Sequence, residues 1–129
     1  MTVHIHNPAL LPKVRSPALL AAVKDMPCTL RVASFIPGQQ CAHQTTVVPC
    51  HIDRSLGKGM GAKVSDLFVA AGCFHCHNII DGRDQKGVAY IMDHYPTAFM
   101  ERLLKGLCET QSRWVGMGLI EVKGGEVVK

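Results

Sequence analysis

The chain has 129 residues, enough for one domain with a core of its own and too few to divide comfortably into two. Hydrophobic residues at 47% and charged residues at 19% exclude a disordered or fibrous chain. No run approaches the about eighteen apolar residues needed to span a bilayer, so no membrane partner is expected. Fourteen Lys and Arg against ten Asp and Glu leave a net charge of +4, a mild excess compatible with a polyanionic partner.

Residues 1–14 contain Pro8 and Pro12 without periodicity and read as an N-terminal arm. The segment 15–123 reads as a single domain and 124–129 as a tail. Ser16 followed by Pro17 is a helix start, a hydroxyl cap before a proline, and the helix should reach about Lys24 before Pro27 stops the chain. The apolar run 17–23 after Lys13 and Arg15 is too short for a secretory signal, so the expectation is cytoplasmic. Six cysteines in a reducing compartment then serve as metal ligands and free thiols rather than as three disulfides.

Alternation over 29–32 predicts a short strand, with a turn at Pro37-Gly38 leading to Cys41. Residues 45–52 are β-rich and predict a strand that Pro49 confines to an edge or bulge, with His51 near its end. A basic, glycine-rich loop over 56–63 follows. The run 67–71 should return as the second strand of a hairpin and deliver Cys73 to a helix carrying Cys76, His77 and Ile80. Tyr95-Pro96 introduces a long helix with Phe99, Met100, Leu103, Leu104, Leu107 and Trp114 as its apolar stripe. Gly116 and Gly118 end it, and 119–122 reads as a short last strand.

Cys73-Phe74-His75-Cys76-His77 carries the most chemistry. Two thiolates three positions apart at a turn can share a tetrahedral zinc, and Cys28 with Cys41 are the candidates to close the site. Structural zinc contributes on the order of 10 kcal/mol in small domains, a useful cross-link where aromatic residues are only 5% of the chain. The same pentapeptide is also a haem-attachment pattern. Covalent haem belongs to exported proteins, so no haem is expected.

One residue past Cys76, His77 is rotated by about 100° and is free for a second ion. Asp81 follows on the same helical face, an oxygen ligand suited to Mg²⁺ or Mn²⁺, while Asp84 reads as a solvated residue near Gly82. His51 on the preceding strand is the candidate general base, able to take a proton from attacking water, and Asp53 could orient it. Arg83 is the best-placed phosphate clamp, with Arg31, Arg54, Lys58 and Lys63 as further cations along a phosphate track, Lys86 reading as a solvated surface charge, and His75 within reach of DNA.

In their order, these residues resemble the HNH, or His-Me finger, nucleases, and more narrowly the YbcO-like family of phages and prophages. The resemblance covers about residues 13 to 123. It is carried by Lys13-Val14-Arg15-Ser16, Pro27-Cys28-Thr29-Leu30-Arg31 with Ile36-Pro37-Gly38, Cys50-His51-Ile52, and Gly57-Lys58-Gly59-Met60-Gly61. It continues in Ser65-Asp66-Leu67-Phe68-Val69-Ala70, the Cys73 to His77 pentapeptide with Ile80-Asp81, the Trp114 helix and Gly118-Leu119-Ile120. What it implies is an α+β fold: a small, treble-clef-like ββα-metal core over about 45–86, with a structural zinc site, flanked by an N-terminal and a long C-terminal helix. It further implies His51 as base, His77 as ligand of the catalytic ion, and Asp66 at the family's middle position, usually Asn, holding the hairpin loop. The chain departs from the pattern at Cys50, where many such enzymes carry an acidic or histidine ligand. Twelve residues between Cys28 and Cys41 leave His43 or Cys50 as substitutes in the zinc site. The expected function is hydrolysis of DNA phosphodiesters. The alternative is a non-catalytic, zinc-held module that binds nucleic acid or a phage replication or recombination protein.

Overall fold

In the computed structural model, the described residues are 12–52 and 64–129. Helix α1 spans Pro17–Val23. The Ser16 hydroxyl accepts the Leu19 N–H at 3.2 Å, and Pro17 sits in the first turn, where an N–H would have no helical partner.

The strand expected over 29–32 does not form. The N–H groups of Thr29 and Leu30 both donate to the Ala71 carbonyl, and Arg31 takes a left-handed φ of 50°. A left-handed residue breaks the alternation a strand requires, and here it aims the Arg31 N–H at the Cys28 sulfur. The bend at Pro37-Gly38 forms as expected, with φ 77° at the glycine.

Strands β1 (Val48–His51) and β2 (Val69–Gly72) pair antiparallel, with Cys50 opposite Ala70 and His51 opposite Val69. Both are shorter than the sequence suggests. Gln44–Thr46 winds into a 3₁₀ turn capped by His43, which removes the first half of the expected strand. A turn closed by the Phe68 N–H on the Ser65 carbonyl delays the second. All four residues of β2 are buried, and the strand packs against the last helix, where the Ala71 N–H donates to the Thr110 hydroxyl.

Helix α2 (Phe74–Ile80) starts directly after Cys73. Helix α3 (Gln85–His94) was not legible as a separate element, and Asp84 proves to be its cap rather than a merely solvated residue, its carboxylate accepting the Gly87 N–H at 2.9 Å. Helix α4 (Pro96–Gly116) follows after Tyr95, whose ring stacks on Phe35 at 5.4 Å. Its inner face is Phe99, Gly106, Thr110 and Trp114, with Leu103 and Leu107 half-buried. Met100 and Leu104, expected in the core, are 57% and 61% exposed. Helix α4 approaches its neighbours through Gly106 and Thr110, so small and polar residues occupy the contact line that an apolar count overlooks.

Trp114 is fully buried and its indole N–H donates to the Leu19 carbonyl at 3.0 Å, tying α4 to α1. Gly118 (φ 75°) ends α4, with the Leu119 N–H on the Trp114 carbonyl and the Gly118 N–H on the Val115 carbonyl. Residues 119–122 form no strand. Among the described residues the architecture is α+β, four α-helices around one two-stranded antiparallel sheet. No described helix is long and apolar enough to cross a membrane.

Candidate metal centre and histidine site

Four cysteines from separate segments converge. Cys28 lies on the turn after α1, Cys41 beyond the Pro37-Gly38 bend, Cys73 at the exit of β2, and Cys76 in the first turn of α2. Their sulfurs all lie within 4.8 Å of one another. A tetrahedral zinc with arms of about 2.3 Å has ligand edges of about 3.8 Å. The Cys41 and Cys76 sulfurs are 3.9 Å apart, so the set has the dimensions to hold a metal ion such as zinc.

Backbone N–H groups are turned onto these sulfurs, from Ala42 to Cys73 and from Cys73 to Cys28, both at 3.3 Å. The Cys28 thiol is lowered to about 5, first by the hydrogen bond from Cys76, then by the Arg31 and Cys73 N–H groups, which together outweigh its burial. Cys41 is pushed up to about 12 by burial and by the charge on Cys28 and Cys73. Cys76 is pushed up because its proton is held by Cys28 and because it is buried. One sulfur thus carries charge readily while two neighbours keep their protons, which a divalent cation would displace.

The alternative fourth ligands stand elsewhere. His43 Nδ1 lies 2.9 Å from the Thr45 hydroxyl, and the Cys50 thiol donates to the Val48 carbonyl. Burial, then the charges of Cys28 and Asp81, push the Cys50 thiol up to about 12.

At the end of β1, His51 is partly exposed and its Nε2 lies 3.0 Å from Oδ1 of the buried Asp66. The other Asp66 oxygen accepts the Ser16 N–H at 2.8 Å, and the Arg15 guanidinium stands 4.0 Å away. Burial alone would raise the Asp66 carboxyl, but Ser16, His51 and Arg15 together hold it below its usual value. A charged Asp66 requires the proton of a neutral His51 to sit on Nε2, which leaves Nδ1 as the basic edge. Asp66 thus orients His51 and anchors the start of α1; the hairpin loop it is expected to hold lies outside the described residues. Asp53, Arg54, Lys58 and Lys63 lie outside the described residues.

On α2, His77 Nε2 approaches Asp81 Oδ2 at 3.2 Å, the i, i+4 relation expected from the sequence, and Arg83 Nε reaches the same oxygen at 3.5 Å. Among the described residues no group of three such ligands converges other than the four cysteines. His51 lines a cavity of about 300 Å³ with Ile79, Ile80 and Gly82 at the end of α2, and with Phe99, Met100 and Leu103. His77 is not among its walls, so the two imidazoles do not share this cavity. His75 is exposed, with Nδ1 2.9 Å from the Gln40 carbonyl, and lines a different cavity together with Arg83. Arg31 is engaged in a bidentate pair with Glu109 at 3.0 and 3.1 Å, which ties the Cys28 turn to α4.

Arg102 is a residue that sequence reasoning did not single out. It donates to the carbonyls of Thr29 and Leu30, fixing the turn that presents Cys28. Its position on a helix face carries no mark of that task.

Comparison with family models, with characterised proteins and with solved structures finds no match for this chain.

Proposed function

We propose that the chain is a metal-dependent DNA endonuclease of the HNH type, built on a ββα-metal core whose four-cysteine cluster holds structural zinc. The observation that carries this reading is the His51–Asp66 pair at 3.0 Å, a charged carboxylate fixing one imidazole nitrogen on the strand that leads into the hairpin. In hydrolysis, water attacks phosphorus while His51 Nδ1 takes its proton, the P–O bond to the leaving sugar oxygen breaks, and that oxygen acquires a proton from solvent. Asp66 holds the imidazolium that forms, as a carboxylate does behind other catalytic histidines.

His77 and Asp81 would hold a Mg²⁺ or Mn²⁺ ion, with water and phosphate oxygens completing its shell; their nitrogen and oxygen donors suit such an ion. Bound there, it would supply charge against the phosphate and leaving-group oxygens. Arg83 contributes a guanidinium for the phosphate.

The two-ligand character of the His77–Asp81 pair favours the second reading, a zinc-held nucleic-acid-binding module without catalysis. Plasmid nicking with Mg²⁺ or Mn²⁺ separates the two. The nuclease reading expects cleavage by the zinc-loaded chain and its loss in His51→Ala with DNA binding retained. Binding without metal-dependent cleavage in the unmodified chain leaves the binding module.

A further inference from the structure

The cavity shared by His75 and Arg83 has a volume of about 380 Å³ and is walled by Gln39, Phe74, Asn78 and Asp84 as well. That is within the about 300–1,000 Å³ of small-molecule sites. Its chemistry is mixed in a specific way. Phe74 is 55% exposed, an unusual position for a ring in a chain with only four phenylalanines. Gln39 and Asn78 each offer an amide with both donor and acceptor. Arg83 belongs at once to this cavity and to the His77–Asp81 pair, through its 3.5 Å approach to Asp81. Asp84 already accepts the Gly87 N–H through Oδ1, and a carboxylate at that wall disfavours phosphate there while accepting from a base N–H.

We infer that this cavity receives one unpaired nucleotide of a single-stranded DNA, its base against Phe74 and the amides, its phosphate toward Arg83. A flat ring for stacking, amide edges and one guanidinium are the set that recognises an unstacked nucleotide; duplex DNA presents neither face of a base. The inference names the substrate class of the nuclease reading and rests on it for cleavage, while the binding stands on the cavity alone.

The test is fluorescence anisotropy of a fluorescein-labelled oligothymidylate with the zinc-loaded 129-residue chain in a His51→Ala background. Adding Phe74→Ala should weaken binding by about fivefold to a hundredfold, the range for losing one base–aromatic stack, and Phe74→Trp should restore it. Asn78→Ala should weaken it by about two- to tenfold, the loss of one hydrogen bond. Unchanged zinc content in each variant shows that the fold is retained. No binding of the single strand, a preference for duplex, or equal binding in all variants overturns the inference. Cavity-dependent binding with no cleavage by the unmodified chain would instead sink the nuclease reading and leave the cavity assigned. Metal-dependent cleavage with no effect of Phe74 or Asn78 would do the reverse.

Discussion

Thr29 and Thr110, 81 residues apart, meet through their hydroxyls at 2.9 Å in a fully buried contact. Both hydroxyl oxygens also accept the Ala71 N–H, at 3.1 and 3.2 Å, so the residue after Cys28, the middle of β2 and the inner face of α4 share one polar knot. Buried hydroxyls cost free energy unless paired, and here each is paired. Thr110→Val keeps the shape and removes the hydroxyl. It should lower unfolding stability in urea by roughly 1–3 kcal/mol. A variant as stable as the parent would mean that the knot contributes nothing.

Gly106 sets a second test on the same seam. A Cβ there would lie 3.0 Å from the Thr29 carbonyl oxygen. Alanine favours a helix interior by about 1 kcal/mol, whereas overpacking costs about 1–3 kcal/mol when the neighbour cannot move. Thr29 cannot easily yield, because Arg102 Nη2 grips that oxygen at 2.6 Å beside the Cys28 turn. Gly106→Ala is therefore expected to destabilise, read as a lower thermal midpoint. A raised midpoint would show that the seam relaxes.

Metal removal should act on the whole domain. One zinc per chain is expected by elemental analysis, and chelation should abolish cooperative unfolding, since the four sulfurs join segments from both halves of the sequence. Affinity should fall as the pH is lowered, because protons compete with the ion for the four sulfurs. Cys28→Ser should lose the metal, whereas Cys108→Ser, at an exposed cysteine, should keep it.

Asp66 gives a pH signature. Its folded-state carboxyl lies below the ordinary value of 3.8, so its contribution is present above that value and lost as the pH falls through the lowered one. Asp66→Asn should be less stable than the parent near neutral pH, by roughly 1–3 kcal/mol, and the difference should close in strong acid. A gap that is constant with pH would show that charge is not involved. Under the nuclease reading, the same variant should also cut more slowly in the nicking assay, by up to about 10⁴-fold, the cost of losing the carboxylate that fixes a general-base histidine's tautomer.

Much of the site's raw material was legible along the chain. Ser16-Pro17 specified the start of α1 because capping is local chemistry, satisfied within a single turn. The Cys73 to Cys76 spacing, the His77 to Asp81 interval and the glycine that ends α4 were readable for the same reason. What could not be read was any feature set by partners far away in sequence. Residues 29–32 alternate like a strand, yet the chain bends at Arg31 to serve Cys28. The apolar count of α4 selected Met100 and Leu104, yet Gly106 and Thr110 face the core because Thr29 and β2 lie there.

The sequence alone determined the start of α1, the Cys73–Cys76 spacing at the start of α2 and the His77–Asp81 interval, because ligand spacing and helix caps depend on neighbours within a few positions. Only the tertiary structure decided that Cys41 rather than His43 or Cys50 joins Cys28, Cys73 and Cys76, that Asp66 orients His51, and that His77 stands outside the cavity lined by His51. Those pairings are relations between side chains brought together by packing, and packing is settled by the whole chain at once.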